Sequence, residues 1–454
     1  MPLHPSSLCD VRVATYAKSD FLVRCIDQAV AQLKERPGAL WENISAMELS
    51  ETVRRIFQRA REERGNRFAL PADVMFPTSQ YPIRFNFYKH PGKPFVVDIQ
   101  DAEELQGVQW ALSGEWEDLA PSHPAHEMAL ELTEAGILVP SNREPKFDQP
   151  GLYRLQHAGL LFRSRRGTGI VVDPVADVYG FNWIMPQHIP NIDAVVVSHS
   201  HTDHFSLITL LQFPRKTMMI VPKVGRSSML CPDMEALLRD AGFEHVVAAP
   251  WYSTVQVKDA TIRVYPFYGE QPWLTFASPV EDLRNQGNTY AVEIDDYRAW
   301  FLIDSGQEFA HSMMEVCERA LEDAGPVDIV LSNLRSFWWH PKQIDGSGRY
   351  LFCFPVEVLE QPETWPQGRM TFGPEGVCRF LERLKPKSFL PYAHWWQPRE
   401  ETVHVVGNDN ETDMLDAIRD AKSAERLVTE LCRWQVGDRM EWYRGRMSIR
   451  SDAR

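Results

Sequence analysis

Ala194-Val195-Val196-Val197-Ser198-His199-Ser200-His201-Thr202-Asp203-His204-Phe205 is the stretch that decides how this 454-residue chain is read. Its apolar opening, rich in β-branched valine, reads as a strand buried on both faces. That strand runs directly into His199, His201, Asp203 and His204, four side chains able to bind a metal. In an extended chain alternate side chains share a face, so His199, His201 and Asp203 project to one side. Asp203 and His204 fall where the chain turns towards the next helix and so reach a second point. One segment can thereby serve two metal ions a few Å apart. The bland reading is a set of solvated loop histidines. A chance His-x-His-x-Asp-His in a chain with 14 histidines is on the order of one in a thousand.

Around this segment, from 151 onward, short β-branched runs recur: Gly169 to Asp173, Asp193 to Val197, Met218 to Val221, Ala260 to Tyr265, Trp300 to Asp304, Val327 to Leu331 and Ser388 to Leu390. Helical patterns separate some of them, at Asp233–Gly242, Phe309–Gly325 and Pro374–Leu384. Strands mixed with helices over this length predict an α/β layered domain. The first 148 residues read differently. Phe21, Leu22, Cys25, Ile26, Ala29, Val30 and Leu33 recur at helical spacing, and Ser45 with Glu48 makes a capping-box pattern ahead of a second apolar stripe. A third helix is expected over 124–135, stopped by Gly136, with a short strand Ile137–Val139 after it. The proline-bounded polar segment Pro140 to Pro150 is the expected linker. The organisation is therefore a helix-rich domain over 1–148, for dimerisation or partner docking, and a catalytic domain over 149–454. Within the latter, the aromatic, proline-rich stretch 335–373 reads as a binding insert.

Composition narrows the function classes. A formal charge of −14 repels phosphate backbones and argues against nucleic acid. The seven cysteines, Cys9, Cys25, Cys231, Cys317, Cys353, Cys378 and Cys432, are dispersed without a Cys-x-x-Cys pair, which predicts free thiols in a reducing compartment. No apolar run approaches the ~20 residues of a spanning helix, and the start lacks a signal-peptide pattern. A cytoplasmic protein without membrane contact is the expectation.

His-x-His-x-Asp-His after an apolar strand resembles the signature of the metallo-β-lactamase fold, and the likeness extends over about residues 151–400. His157-Ala-Gly-Leu-Leu-Phe-Arg-Ser followed by Gly169-Ile-Val-Val-Asp-Pro174 is similar to the opening hairpin of its lactonase- and phospholipase-like branch. The resemblance implies an αββα sandwich and three further ligands at strand ends. Asp304, in Trp300-Phe-Leu-Ile-Asp-Ser-Gly306, matches the bridging aspartate. His394, in Phe389-Leu-Pro-Tyr-Ala-His394-Trp-Trp, matches the last histidine. Most members place a histidine at the remaining position, but no histidine lies between His245 and His311 here. Glu270, after the strand Ala260–Tyr265, stands in the expected place; the alternative for it is a solvated loop side chain. Glutamate in this order resembles the branch containing the dinuclear iron β-hydroxylase of chloramphenicol biosynthesis, an antibiotic pathway. That likeness implies hydroxylation of an amino-acid-type substrate held on an acyl or peptidyl carrier protein.

Under this resemblance one iron takes His199, His201, Glu270 and Asp304, and the other takes Asp203, His204, His394 and Asp304. Carboxylate-rich sets favour iron or manganese over zinc. Asp203, Glu270 and Asp304 are then the residues that tune the chemistry, with O2 as co-substrate. No Gly-x-Gly-x-x-Gly after a strand, P-loop or four-cysteine cluster spacing is present, so an external reductase or ferredoxin is implied. The alternative is a dinuclear zinc hydrolase acting on an ester, lactone or phosphodiester, with Asp203 handling protons. A non-catalytic binding module would require a damaged ligand set. Weaker signals are the tryptophans of Ser336–Pro341 and Trp395–Trp396 as a pocket wall, His340 as a supporting side chain, and His157, either near the metals or simply packed. The basic clusters Arg163–Arg166 and Arg54–Arg64 are candidate landing sites for an acidic carrier, or ordinary solvated faces.

Overall fold

The computed structural model describes residues 3–5, 76, 79–81, 83–87, 95–140, 147–175, 186, 189–201, 203–228, 230–271, 283–334, 371–393 and 426–451. The stripes expected at 21–33 and 45–60, Arg54–Arg64, most of the 335–373 insert, His394, Trp395 and Trp396 lie outside these residues.

The amino-terminal part comprises β1 (Leu3–Pro5), β2 (Ile83–Phe87), β3 (Phe95–Ile99), α1 (Ala102–Ser113), α2 (Pro124–Glu134) and β4 (Leu138–Pro140). The helix and strand expected around 124–139 form as α2 and β4, and β4 pairs antiparallel with β1. The described portion is less helical than its reading suggested, because β2 and β3 form an antiparallel hairpin. Period two explains it: Ile83, Phe85 and Phe87 are buried, while Arg84 donates to Asp98 across the exposed face. Asp101 caps α1 by accepting from the backbone N–H groups of Glu103 and Glu104.

The following strands and helices build two packed sheets. The first half gives β5 (Gly151–Arg154), β6 (Leu160–Arg163), β7 (Gly169–Val172), β8 (Ala194–Val196), α3 (Leu207–Leu210), β9 (Met218–Pro222), α4 (Met234–Asp240) and β10 (Val246–Ala249). The second gives β11 (Thr254–Val257), β12 (Ala260–Pro266), β13 (Asn288–Ile294), β14 (Tyr297–Phe301), α5 (Met313–Ala324), β15 (Ile329–Ser332), α6 (Gly373–Leu384), β16 (Ser388–Pro391) and β17 (Glu430–Leu431). A closing hairpin, β18 (Arg439–Tyr443) and β19 (Arg446–Arg450), returns to the first sheet. The strand orders are β10-β9-β8-β7-β6-β5-β18-β19 and β11-β12-β13-β14-β15-β16-β17.

Alternation along each strand feeds two cores at once. In β7, Ile170 and Val172 face the second sheet while Val171 faces the outer layer; in β14, Ala299 and Phe301 face the first sheet while Trp300 faces outward. The inter-sheet core is therefore dry, with Val196, Val264, Phe301 and Leu331 all fully buried. α5 and α6 cover the outer face of the second sheet. α3, α4 and the 83–138 region cover the first. This is an αββα sandwich. Strands β7 to β10 run parallel, as do β14 to β17, and β12 runs with β14 because both are antiparallel to β13. The chain thus leaves β7, β8, β12, β14 and β15 on the same edge of the sandwich.

The outer core of the first sheet is shared across residue 148: Phe85, Leu105 and Leu132 belong to the same buried cluster as Phe147, Leu211 and Leu238. Gln109 Nε2 donates to the carbonyl of Phe213, and Gln106 Nε2 to that of Asp240. Among the described residues no helix is long and apolar enough to cross a membrane.

Candidate metal centre

β8 ends at Val196, and the strand geometry does not carry through Asp203 as the alternation argument required. His199 still makes an isolated bridge to Gly287, but from His201 the chain turns, with the N–H groups of His204 and Phe205 both donating to the His201 carbonyl. The turn, not the pleat, gathers the ligands. His199 Nε2 lies 3.1 Å from His201 Nδ1, and His201 Nδ1 lies 2.6 Å from Glu270 Oε2. His204 Nε2 lies 2.8 Å from Asp304 Oδ2 and 3.5 Å from Asp203 Oδ2. Two overlapping groups result: His199, His201 and Glu270, and His199, His204 and Asp304; a third joins His157, Asp203 and His204. Six of the seven expected ligands thus come together, and His394 lies outside the described residues.

Several of these positions hold a left-handed backbone at a strand end: Asp173 at φ 39, Glu270 at φ 47 and Asp304 at φ 50, with His157 at φ 48 and Ala393 at φ 60 beside them. Non-glycine residues visit this region at a cost, and such outliers concentrate where a site dictates them. Of these residues Asp173, Glu270, Asp304 and His157 each contact a side chain of the cluster.

The imidazoles are held by the nitrogen that does not face the cluster. Ser198 Oγ lies 2.9 Å from His199 Nδ1, and Asp173 Oδ2 lies 3.0 Å from His204 Nδ1. Asn285 Nδ2 lies 3.2 Å from His201 Nε2. Asp173 also accepts from the backbone N–H and hydroxyl of Ser198, and Asn333 Nδ2 donates to Asp304 Oδ1. A hydrogen bond on one ring nitrogen leaves the other directed at the metal, which is how such ligands are normally oriented. None of Ser198, Asp173, Asn285 or Asn333 was singled out from the sequence. Only Asp173 carried a signal, as an acidic residue closing an apolar strand.

The electrostatics fit a cationic occupant. Burial works against charge on His204, yet the carboxylates of Asp203, Asp173 and Asp304 outweigh it and hold the imidazole well above its usual range. Burial also opposes ionisation of Glu270, but His201 and His199 bring it down to about 2. Asp304 is raised by burial and by the charge of Glu270, and burial drives His199 down to about 3. Where a proton is held this strongly between carboxylates, a metal ion meets the same field. His204 Nε2 supplies a direct test: it is buried and makes no hydrogen bond, although Asp304 Oδ2 is close. The two atoms do not point at each other, as befits a pair directed at a common third point. Asp173, Asp203, Glu270 and Asp304 carry together the charge that balances two divalent cations. The residues present fit a dinuclear metal group.

An αββα sandwich with histidines and carboxylates clustered at one edge is a metallo-β-lactamase fold. The chain belongs to the β-lactamase superfamily, whose domain matches residues 168–395. A 4-amino-L-phenylalanyl-[CmlP-peptidyl-carrier-protein] 3-hydroxylase of Streptomyces venezuelae is 28% identical over 271 residues, 56% of this chain and 46% of that protein. The chain thus spans about half the length of that curated relative. The crystal structure of CmlA, a diiron β-hydroxylase from Streptomyces venezuelae, superposes with a TM-score of 0.53 at 20% identity, over 78% of this chain and 68% of that one. A point mutant of the CmlA β-hydroxylase superposes with a TM-score of 0.57 at 16% identity, over 96% and 99% of the two chains. These superpositions establish the common fold.

Proposed function

We propose that this protein is a dinuclear non-haem iron oxygenase that hydroxylates an amino-acid-type substrate carried as a thioester on an acyl or peptidyl carrier protein. The observation that carries the reading is Glu270 Oε2 at 2.6 Å from His201 Nδ1. A carboxylate stands where most members of the fold use a third imidazole, which makes the donor set oxygen-rich. The curated hydroxylase relative points the same way.

His199, His201, Glu270 and Asp304 would hold one iron, and Asp203, His204, Asp304 and His394 the other. When bound, the pair supplies reductive activation of dioxygen: O2, two electrons from an external donor and two protons yield one substrate hydroxyl and one water. The chain's own residues orient and insulate this chemistry. Ser198, Asp173 and Asn333 hold His199, His204 and Asp304. Phe267 stacks on His199 at 4.9 Å and keeps water from that side. The Asp203 side chain is 27% exposed, against 11% for Glu270 and 6% for Asp304. The greater exposure of Asp203 supports an approach of substrate from its side, and His157, 3.2 Å from its Oδ2, keeps that carboxylate in place.

Metal analysis with an optical spectrum tests the proposal. About two irons per chain, with a charge-transfer band bleached by anaerobic reduction and restored by air, is the expected result. Zinc alone with a featureless spectrum after iron-supplemented expression would overturn it in favour of ester, lactone or phosphodiester hydrolysis.

A further inference from the structure

Gln271 and Asn285 exchange two hydrogen bonds: the Asn285 backbone N–H donates to Gln271 Oε1 at 2.9 Å, and Gln271 Nε2 donates to the Asn285 carbonyl at 2.7 Å. Both residues are buried. Gln271 follows Glu270 directly in the chain, and the Asn285 amide touches His201 Nε2 at 3.2 Å. The far end of that amide, Oδ1, accepts from Ser200 Oγ at 3.0 Å. The pair therefore links, through residues that are not themselves ligands, the glutamate and the histidine that face each other across the first group.

The Asn285 amide has a further property. As placed, its NH2 end faces His201 Nε2, which leaves the imidazole proton on Nδ1, towards Glu270 Oε2. A metal on Nδ1 needs that proton on Nε2 instead. An amide can meet both demands by turning over, offering its oxygen to Nε2–H and its NH2 to Ser200, whose hydroxyl can donate or accept. Neither a leucine nor an aspartate in this place can serve both states. Aspartate serves only the metal-ready one.

We infer that Asn285, braced by Gln271, is a positioning residue that holds the Nε2 side of His201, supports its metal-binding tautomer by turning its amide over, and sets its spacing from Glu270. This rests on the dinuclear reading above. Ordinary supporting residues of metal ligands change affinity by ~10–100-fold when removed, and a loss of that order is expected for Asn285→Leu and Gln271→Leu at one of the two sites. Asn285→Asp is expected to bind as tightly as the parent or tighter.

The experiment is titration of the purified, chelator-stripped full chain with Fe(II) under anaerobic conditions, in competition with a chromophoric chelator, alongside thermal unfolding of each metal-free variant. Weak binding by Asn285→Leu at unchanged metal-free Tm, rescued in Asn285→Asp, supports the inference. Unchanged affinity in Asn285→Leu, or equal losses in the leucine and aspartate variants, overturns it. A parent chain that binds one Fe(II) defeats the dinuclear reading while the leucine-to-aspartate comparison still decides the role of Asn285. A parent that binds none defeats both.

Discussion

His204 Nδ1 lies 3.0 Å from Asp173 Oδ2, and neither side chain is exposed to solvent. The carboxylate also accepts both the backbone N–H and the hydroxyl of Ser198, so it receives three donors in a dry environment. Asp173→Asn would present an NH2 group to at least one donor and leave it unsatisfied. A fall of ~10–100-fold in metal affinity is expected, following the general behaviour of residues behind a metal ligand. Metal titration of the variant checks it, with Asp173→Ala as the harsher comparison.

Glu270→His would restore the imidazole that most members of the fold carry. The donor set becomes softer, so zinc should displace iron as the metal recovered, and oxygen-dependent turnover should disappear. The iron-to-zinc ratio of protein expressed with both metals measures this. Unchanged iron content and turnover would remove the main support for an oxygenase.

Asp304→Asn tests the proposed bridging role of this carboxylate. Asparagine tolerates the left-handed backbone at φ 50, so the main chain should keep its path. On the proposed assignment both ions take this carboxylate, so its charge is lost to both and metal content should fall to below about one ion per chain. Thermal unfolding of the metal-free variant should stay within a few degrees of the parent, which separates loss of metal from loss of fold.

Gly287→Ala tests the packing behind His199. An added Cβ would stand 2.8 Å from Phe267 Cγ and 3.0 Å from His199 Cβ. Overpacking of this kind costs about 1–3 kcal/mol. Because Phe267 stacks on His199 with an interplanar angle of 19°, part of the displacement is transmitted to the imidazole. Denaturant unfolding should show the stability loss, and metal titration a weaker site containing His199.

The layered fold was legible because continuous apolar runs such as Gly169–Val172 and Trp300–Ile303 are a local mark of strands buried on both faces, and the paired cores follow from that. The expected helices at 233–242, 309–325 and 374–384 form as Met234–Asp240, Met313–Ala324 and Gly373–Leu384, the first two shorter than their patterns. The β2–β3 hairpin was missed because its alternation lies in a region read from its helical stripes. At the site, the reach of His204 and Asp203 to a separate point could be anticipated, whereas the turn at His201 could not, since strand and turn compete locally for the same polar residues. Asn285 and Asn333 were invisible for a different reason. An amide has no distinctive spacing, and its partners His201 and Asp304 are 84 and 29 residues away.

The buried cluster that spans residue 148 bears on how this protein can be cut. Phe85, Leu105, Val108 and Leu132 form the cladding of the helices that back β7 to β9, and the side chains of Gln106 and Gln109 are stitched to that layer. Excising residues 83–140 would leave a broad greasy scar behind the strands that deliver His199 and Asp173, and the remainder should aggregate instead of behaving as an autonomous catalytic half.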